Sequence, residues 1–142
     1  VNITSAQALP VKRPFPAYLA ISGDAVYSAA KAAINRFTQG VAAELLADNI
    51  AMNAVGPSTA IRTPGAADYI PDHYPTEDVA YLAGTVLAMS HLPAEERTGM
   101  IAHSMHFPYH HHIEVRSLDG QTVLPRAEPP TWSNPEINPS GE

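Results

Sequence analysis

The first residues of the chain alternate between apolar and polar side chains, over Val1-Asn2-Ile3-Thr4-Ser5. An alternation of this kind is typical of a β-strand with one buried face. No turn or helix cap precedes the strand, and we therefore expect the chain to begin inside a fold. For residues 6–23 we predict a loop, because the prolines in this segment cannot join a regular hydrogen-bond ladder.

The segment from Asp24 to about Ala47 has the periodicity of an amphipathic helix. Aspartate is one of the residue types that cap helix N-termini. Apolar side chains then recur three and four residues apart, which predicts one buried helix face. The residues of this face are Val26, Ala30, Ala33, Ile34, Phe37, Val41 and Leu45.

A second strand is predicted for residues 50–55, because Gly56-Pro57 ends this apolar stretch. The order strand, helix, strand is a βαβ unit, which normally pairs its strands in parallel through a right-handed crossover. In open α/β sheets, ligands bind beyond the carboxyl ends of the strands. We therefore expect the ligand at that edge of the sheet.

The middle of the chain adds one helix and one strand to this unit. Residues 58–75 are rich in Pro, Gly and Asp and predict a loop. A second helix is predicted from Thr76-Glu77-Asp78 to about His91, because a capping residue precedes an apolar periodic stretch. A further strand is predicted for residues 100–107.

After Pro108 the composition changes. A small hairpin is predicted for residues 113–124, since Asp119-Gly120 separates two short apolar stretches. Residues 125–142 are rich in proline, which predicts disorder. We accordingly divide the chain into an α/β domain of residues 1–107 and a tail of residues 108–142.

The charge, cysteine content and apolar runs of the chain limit the kinds of molecule that it can bind. The chain has 14 acidic and 8 basic residues and a formal net charge of −6, without the basic cluster that nucleic acid or an anionic membrane requires. The lack of cysteine excludes disulfides and thiolate chemistry and fits a cytoplasmic location. No apolar run approaches the roughly 20 residues that span a bilayer. We expect a soluble protein with a small-molecule substrate.

Tyr27 and Lys31 are the first candidates for chemistry. They lie four residues apart on the predicted helix, so their side chains emerge on one face. A tyrosine works as a general acid or base when a neighbouring cation stabilises its phenolate. The alternative for the same spacing is a tyrosine packed at the edge of the core and an ordinary solvated lysine.

Three stretches of the sequence resemble the short-chain dehydrogenase/reductase family, over roughly residues 1–107. They are Tyr27-Ser28-Ala29-Ala30-Lys31-Ala32-Ala33, Asn53-Ala54-Val55-Gly56-Pro57 and Ile61-Arg62-Thr63-Pro64. The resemblance implies a partial doubly wound, Rossmann-like parallel sheet whose N-terminal half is absent from this chain. It also implies an oxidoreductase that interconverts a carbonyl and an alcohol by hydride transfer with NAD or NADP.

The resemblance further implies roles for individual residues. Tyr27 matches the proton donor, and Lys31 matches its activator, which also holds the nicotinamide ribose. Ser5 matches the serine that orients the substrate oxygen. Because Ser5 and Tyr27 are 22 positions apart, more than is usual in the family, Thr4 and Ser22 stay open as alternatives to Ser5.

Pro57, Ile61 and Thr63 match the family's contacts to the nicotinamide, although Ser58 stands where the family usually has glycine. The family's Gly-rich phosphate loop has no match in this sequence. We therefore expect the chain alone to bind cofactor poorly and to be inactive. By family analogy the long helix would also provide the contact of a homo-oligomer.

Five histidines cluster near the end of the predicted domain, and close imidazoles can bind zinc, copper or nickel. They are His103, His106, His110, His111 and His112. No cysteine or acidic residue shares their spacing, so we predict no metal site. Two other classes of protein remain as alternatives to the oxidoreductase: a non-catalytic α/β binding or scaffold module, and a metal-binding domain that uses this histidine tract.

Overall fold

Three short parallel strands form the centre of the fold. The computed structural model describes residues 1–15, residue 19 and residues 23–142. The strands are β1 (Asn2–Ile3), β2 (Ala54–Gly56) and β3 (Ile101–His103), in the order β1-β2-β3. The register pairs Asn2 with Ala54, and Ala54 with Ile101. The predicted α/β class with a parallel sheet is confirmed, and the arrangement is consistent with a partial Rossmann-like fold.

Helices connect and flank these strands. Among the described residues, the α-helices are α1 (Ala25–Glu44), α2 (Val79–Ala88) and α3 (His106–His110), and single-turn 3-10 helices lie at Ala6–Ala8, Leu46–Asp48 and Ala67–Tyr69. The unit β1-α1-β2 is the predicted βαβ unit. Among the described residues, no helix has the length and apolar character needed to cross a membrane.

The two long helices begin differently. Asp78 caps α2 as expected, because its Oδ1 accepts a hydrogen bond from the Ala80 N–H at 2.8 Å. Asp24 occupies the N-cap position of α1, but its side chain caps no backbone N–H of the helix. The Asp24 carboxylate instead accepts a hydrogen bond from Gln7 Nε2 at 3.2 Å. The predicted start of α1 was therefore correct, and the predicted role of Asp24 was wrong.

The predicted buried face of α1 is covered only in part, because Ile34, Val41 and Leu45 are half-buried while its other members are exposed. Val26 is 83% exposed and Phe37 is 59% exposed, whereas the buried residues of α1 are Thr38 and Ala42. The Thr38 hydroxyl accepts a hydrogen bond from Asn2 Nδ2 at 3.0 Å, which turns that side of the helix toward β1. Apolar spacing shows which positions avoid water but does not show what covers them. The buried side of α1 is centred on Thr38 and Ala42 and overlaps the predicted face only in part.

The core lies between β2, β3 and the helices after them. Its buried apolar residues are Val55, Ala88, Met89, Ala102 and Phe107. Asn53 joins three segments beneath this cluster: its Nδ2 donates to Met89 O and Arg97 O at 3.2 and 3.0 Å, and its Oδ1 accepts from Met100 N at 3.0 Å.

The strand predicted for residues 100–107 ends at His103, and the rest of this prediction was wrong. Residues 106–110 form α3 instead. The Ser104 side chain leaves the strand direction because it bonds Glu77, 27 residues away. Pro108 fits the first turn of α3, where a helix needs no backbone N–H donor.

The tail packs against the sheet. The predicted hairpin is reduced to one antiparallel bridge between Arg116 and Val123. Residues 125–142, for which the composition predicted disorder, have a different arrangement: Ile137 is buried, and Gly141 O accepts a hydrogen bond from Ile101 N at 2.7 Å. Composition missed this contact because it depends on a site at the start of β3. A domain boundary at residue 107 stays a prediction.

Candidate active site

The three strands end at one edge of the sheet, which we call the carboxyl edge. Ser5 follows β1, Ser58 follows β2, and Ser104 follows β3. Since the strands are parallel, these residues emerge on the same side of the fold. The carboxyl edge is therefore the region in which the predicted site residues can meet.

Tyr27 and Lys31 lie at the start of α1, next to the end of β1. Lys31 Nζ is 5.6 Å from the centre of the Tyr27 ring, and Tyr27 is 47% exposed. The same ammonium donates a hydrogen bond to Ile3 O at 2.9 Å. This bond fixes the first turns of α1 to β1. The structure thus brings the two predicted residues together, with the tyrosine open to solvent.

Ser5 begins the 3-10 helix Ala6–Ala8. Its Oγ accepts a hydrogen bond from the Gln7 N–H at 3.2 Å, and the residue is buried. Thr4 is also buried, and its hydroxyl lies 3.5 Å from Lys31 O, toward α1. The geometry favours Ser5 over Thr4 as the orienting hydroxyl, because Thr4 points into the interior. Ser22, the third candidate, lies outside the described residues.

Gln7 connects the segment after β1 to the start of α1. Its Nε2 donates to Asp24 Oδ2 at 3.2 Å, and its Oε1 accepts from the Ser28 hydroxyl at 3.5 Å. The two partners, Asp24 and Ser28, lie on either side of Tyr27 in the sequence. Sequence reasoning missed Gln7, because no local pattern marks a glutamine whose partners lie 17 and 21 residues away.

The loop after β2 carries Ile61 and Thr63. Its two ends meet where Ala60 bridges Thr76 in parallel and Glu77 N donates to Ala60 O at 2.9 Å. Within the loop, the Arg62 guanidinium donates to Ile70 O and Pro71 O at 2.9 and 2.7 Å. We call the contacts of Ala60 with Thr76 and Glu77 the neck of the loop. The bonds of Arg62 link the two sides of the loop beyond this neck. Ile61 is half-buried and Thr63 is exposed, while Pro57 is half-buried at the end of β2.

A buried polar cluster lies under the neck of this loop. Glu77 Oε1 accepts hydrogen bonds from the Ser104 hydroxyl at 2.6 Å and from the Ser58 N–H at 3.2 Å. The Ser58 N–H also donates to Ser104 Oγ at 2.8 Å. Burial raises the pKa of Glu77 from 4.5 to about 7, although the bonds from Ser104 and Ser58 oppose the shift. Glu77 Oε2 has no hydrogen-bond partner among the described residues.

His106 extends the cluster toward the tail. Ser58 Oγ accepts a hydrogen bond from the Met105 N–H at 2.9 Å and lies 2.9 Å from His106 Nδ1. The other ring nitrogen, Nε2, lies 3.2 Å from Ser133 Oγ. Burial lowers the pKa of His106, which favours the neutral ring. A neutral ring with its proton on Nε2 satisfies both contacts, since Ser58 then donates to Nδ1 and Nε2 donates to Ser133.

The other histidines do not form a shared site. Neither ring nitrogen of His103 has a partner among the described residues, and burial, with a smaller effect from nearby His106, lowers its pKa to about 4. His111 Nε2 lies 3.0 Å from Ser140 O, and its ring is stacked edge-on against His110. Across residues 1–15, 19 and 23–142 there is no group of three or more His, Asp or Glu side chains that could hold a metal ion.

Two cavities among the described residues lie away from the predicted catalytic residues. A cavity of about 240 Å³ lies between α3, the bridged segment and residues 125–127, and a second of about 600 Å³ lies beside residues 94–100. Neither is lined by Tyr27, Lys31 or Ser5. Of these three residues, Tyr27 is exposed and Ser5 is buried.

Comparison with known proteins agrees with the geometry. Residues 15–73 match the family model of the short chain dehydrogenases. The matched segment contains Tyr27, Lys31, Pro57, Ile61 and Thr63, whereas Ser5 and Glu77 lie outside it. No solved structure matches the chain. The match supports an oxidoreductase in general and does not favour a non-catalytic module. The match over residues 15–73 supports the resemblance to the short-chain dehydrogenase/reductase family that the sequence motifs indicated.

Proposed function

We propose that this chain is the C-terminal part of an NAD- or NADP-dependent dehydrogenase that interconverts a carbonyl and an alcohol by hydride transfer. One observation carries the proposal: Lys31 Nζ lies 5.6 Å from the Tyr27 ring centre at the carboxyl edge, within the matched segment. An ammonium beside a solvent-exposed phenol is the arrangement that acid-base chemistry on a small substrate requires.

Tyr27 gives its hydroxyl proton to the carbonyl oxygen during reduction and takes the proton back from the alcohol during oxidation. The positive charge of Lys31 stabilises the phenolate that forms in between. Ile3 O takes one of the three N–H donors of the ammonium. The remaining donors have no side-chain or backbone acceptor among the described residues, and we assign them to the ribose hydroxyls of the cofactor.

Ser5 orients the substrate oxygen. Because the Gln7 N–H already donates to Ser5 Oγ, the serine hydroxyl keeps its own proton for the substrate. A donor held in place before the reaction stabilises the negative charge that develops on the oxygen. Gln7 is thus a positioning residue in this scheme.

The residues present fit the nicotinamide end of the cofactor. The Lys31 ammonium and the exposed Thr63 hydroxyl can supply donors, and Pro57 and half-buried Ile61 can supply apolar contacts. The cofactor supplies the hydride when it is bound. The bridge between Ala60 and Thr76 closes the loop that carries Ile61 and Thr63 near the end of β2.

The proposal extends to assembly and location. The exposed apolar face of α1, which includes Val26 and Phe37, supports contact with a second copy of the chain in the full-length protein. A chain without cysteine suits the reducing cytoplasm.

The test is Tyr27→Phe in the full-length protein, with turnover followed by NADH and NADPH absorbance on a panel of ketones and aldehydes. We expect kcat to fall by about 10²-fold or more, because the proton donor is lost while the ring remains. Tyr69→Phe is the matched control, since Tyr69 is 85% exposed and far from the pair in sequence. Unchanged turnover in Tyr27→Phe would remove the acid-base role.

A further inference from the structure

A segment of the tail crosses the carboxyl edge of the sheet. We call residues 130–137 the strap. Asn134 Nδ2 donates a hydrogen bond to Ala6 O at 3.1 Å, and Ser133 Oγ lies 3.2 Å from His106 Nε2. A third anchor is the ion pair between Glu136 and Lys12, at 2.8 Å. The strap is therefore attached at several separate points.

These anchors define the path of the strap. Ala6 follows Ser5 at the end of β1, and His106 begins the helix that follows β3. His106 Nδ1 also lies 2.9 Å from Ser58 Oγ at the end of β2, so the two contacts lie beyond the carboxyl ends of neighbouring strands. Ser133 and Asn134, which are neighbours in the strap, contact His106 and Ala6 respectively. The strap consequently passes over the region in which ligands bind to open α/β sheets.

The strap also brings an aromatic side chain to this edge. The Trp132 ring lies edge-on to the Tyr74 ring, with centroids 6.4 Å apart and an interplanar angle of 77°. Tyr74 belongs to the loop after β2, next to the neck that Glu77 closes. Trp132 is 51% exposed and Tyr74 is 46% exposed. The pair is thus held together but leaves about half of each side chain open.

We propose that Trp132 and Tyr74 form a clamp for the apolar, aromatic part of the carbonyl substrate. Two nearly perpendicular, half-exposed rings can offer a third ring both a stacking and an edge contact. Asn134 is a positioning residue in this arrangement: its amide is used by Ala6 O and by the Glu136 N–H, so it fixes the strap. The clamp rests on the proposed function and assigns to it an aryl ketone, aryl aldehyde or the corresponding alcohol.

The clamp has a distinct kinetic signature. In the full-length protein we would measure kcat/KM for acetophenone and for butanone, and compare the ratio between variants. Trp132→Ala should lower the preference for the aryl ketone about tenfold, the effect of losing one good aromatic contact. Trp132→Phe should restore most of it. Leu118→Ala is the matched control, because Leu118 is 69% exposed and outside the strap.

A binding measurement separates the clamp from the proposed function. Isothermal titration with 1-phenylethanol would be run on the wild-type protein and on Trp132→Ala. Binding that depends on Trp132, without turnover of either ketone, would keep the clamp and refute the oxidoreductase. Turnover with an aryl preference that Trp132→Ala leaves unchanged would refute the clamp and keep the oxidoreductase. Absence of both binding and aryl preference in the wild-type protein would overturn the clamp as well.

Discussion

Glu77 Oε1 lies 2.6 Å from the Ser104 hydroxyl, inside the fold at the ends of β2 and β3. The carboxyl group also closes the neck of the loop that carries Ile61 and Thr63, through Ser58 N. Burial raises its pKa from 4.5 to about 7. A group that holds the proposed cofactor loop in place therefore titrates close to neutral pH.

The titration of Glu77 gives stability a specific pH dependence. Between pH 4.5 and 7 the folded protein keeps a proton that the unfolded chain has released, so the free energy of unfolding falls as pH rises through this window. Across this pH window the free energy of unfolding changes by on the order of 3 kcal/mol at most. Above pH 7 this contribution is fully lost. Lowering the pH toward 5 restores it.

We expect Glu77→Gln to remove this dependence. Glutamine keeps an acceptor for Ser104 and Ser58 but does not ionise. His103 acts in the opposite direction, because its pKa of about 4 makes the folded protein lose stability as pH falls below 6.5. The quantity to measure is therefore the difference between wild type and variant in urea unfolding at pH 5 and pH 8. A difference that does not change with pH would contradict the shifted pKa.

Exposed Phe37 leads to a prediction about assembly. It is 59% exposed on the face of α1 that also carries Val26, and the sheet of this chain does not cover that face. If a second copy covers it, Phe37→Asp should weaken the dimer of the full-length protein about 10- to 100-fold, because a charge is placed in an apolar contact. Sedimentation velocity across a dilution series measures this change. Leu118→Asp, on another exposed apolar residue, is the control, and equal dissociation in both variants would argue against the face.

The βαβ unit could be predicted because its signals are local. The spacing of Tyr27 and Lys31, the length of α1 and the break at Gly56-Pro57 all depend on neighbours in sequence. The orientation of α1 could not be predicted in this way. Long-range contacts orient the helix instead: Thr38 bonds Asn2, and Lys31 bonds Ile3 O.

The polar cluster could not be predicted, because its members are far apart in sequence. Glu77 reads as part of a helix start, and Ser104 reads as part of a strand, until the fold brings them together across 27 residues. The same separation explains the error at α3. The chain turns after His103 because Ser104 has a buried partner, which no local pattern contains.

Gly56 connects the packing of the sheet to the proposed chemistry. A Cβ at this position would lie 3.0 Å from Ser5 N and 3.1 Å from Ser5 Cα, both of them backbone atoms that cannot move aside alone. Gly56→Ala should therefore separate the end of β2 from the segment after β1 and displace Ser5. We expect the free energy of unfolding to fall by about 1–3 kcal/mol, as for other overpacked sites.

The same displacement should reduce turnover beyond the loss of stability. A catalytic group moved by about 1 Å can lower kcat on the order of 10²-fold, even in the fraction of protein that stays folded. Gly40→Ala in α1 is the matched control, because its nearest neighbour is the flexible Arg36 side chain at 3.6 Å and alanine favours a helix. Kinetics and urea unfolding of both variants separate the two effects. If Gly56→Ala lost stability while the folded protein kept its full kcat, Ser5 would not be the residue that orients the substrate.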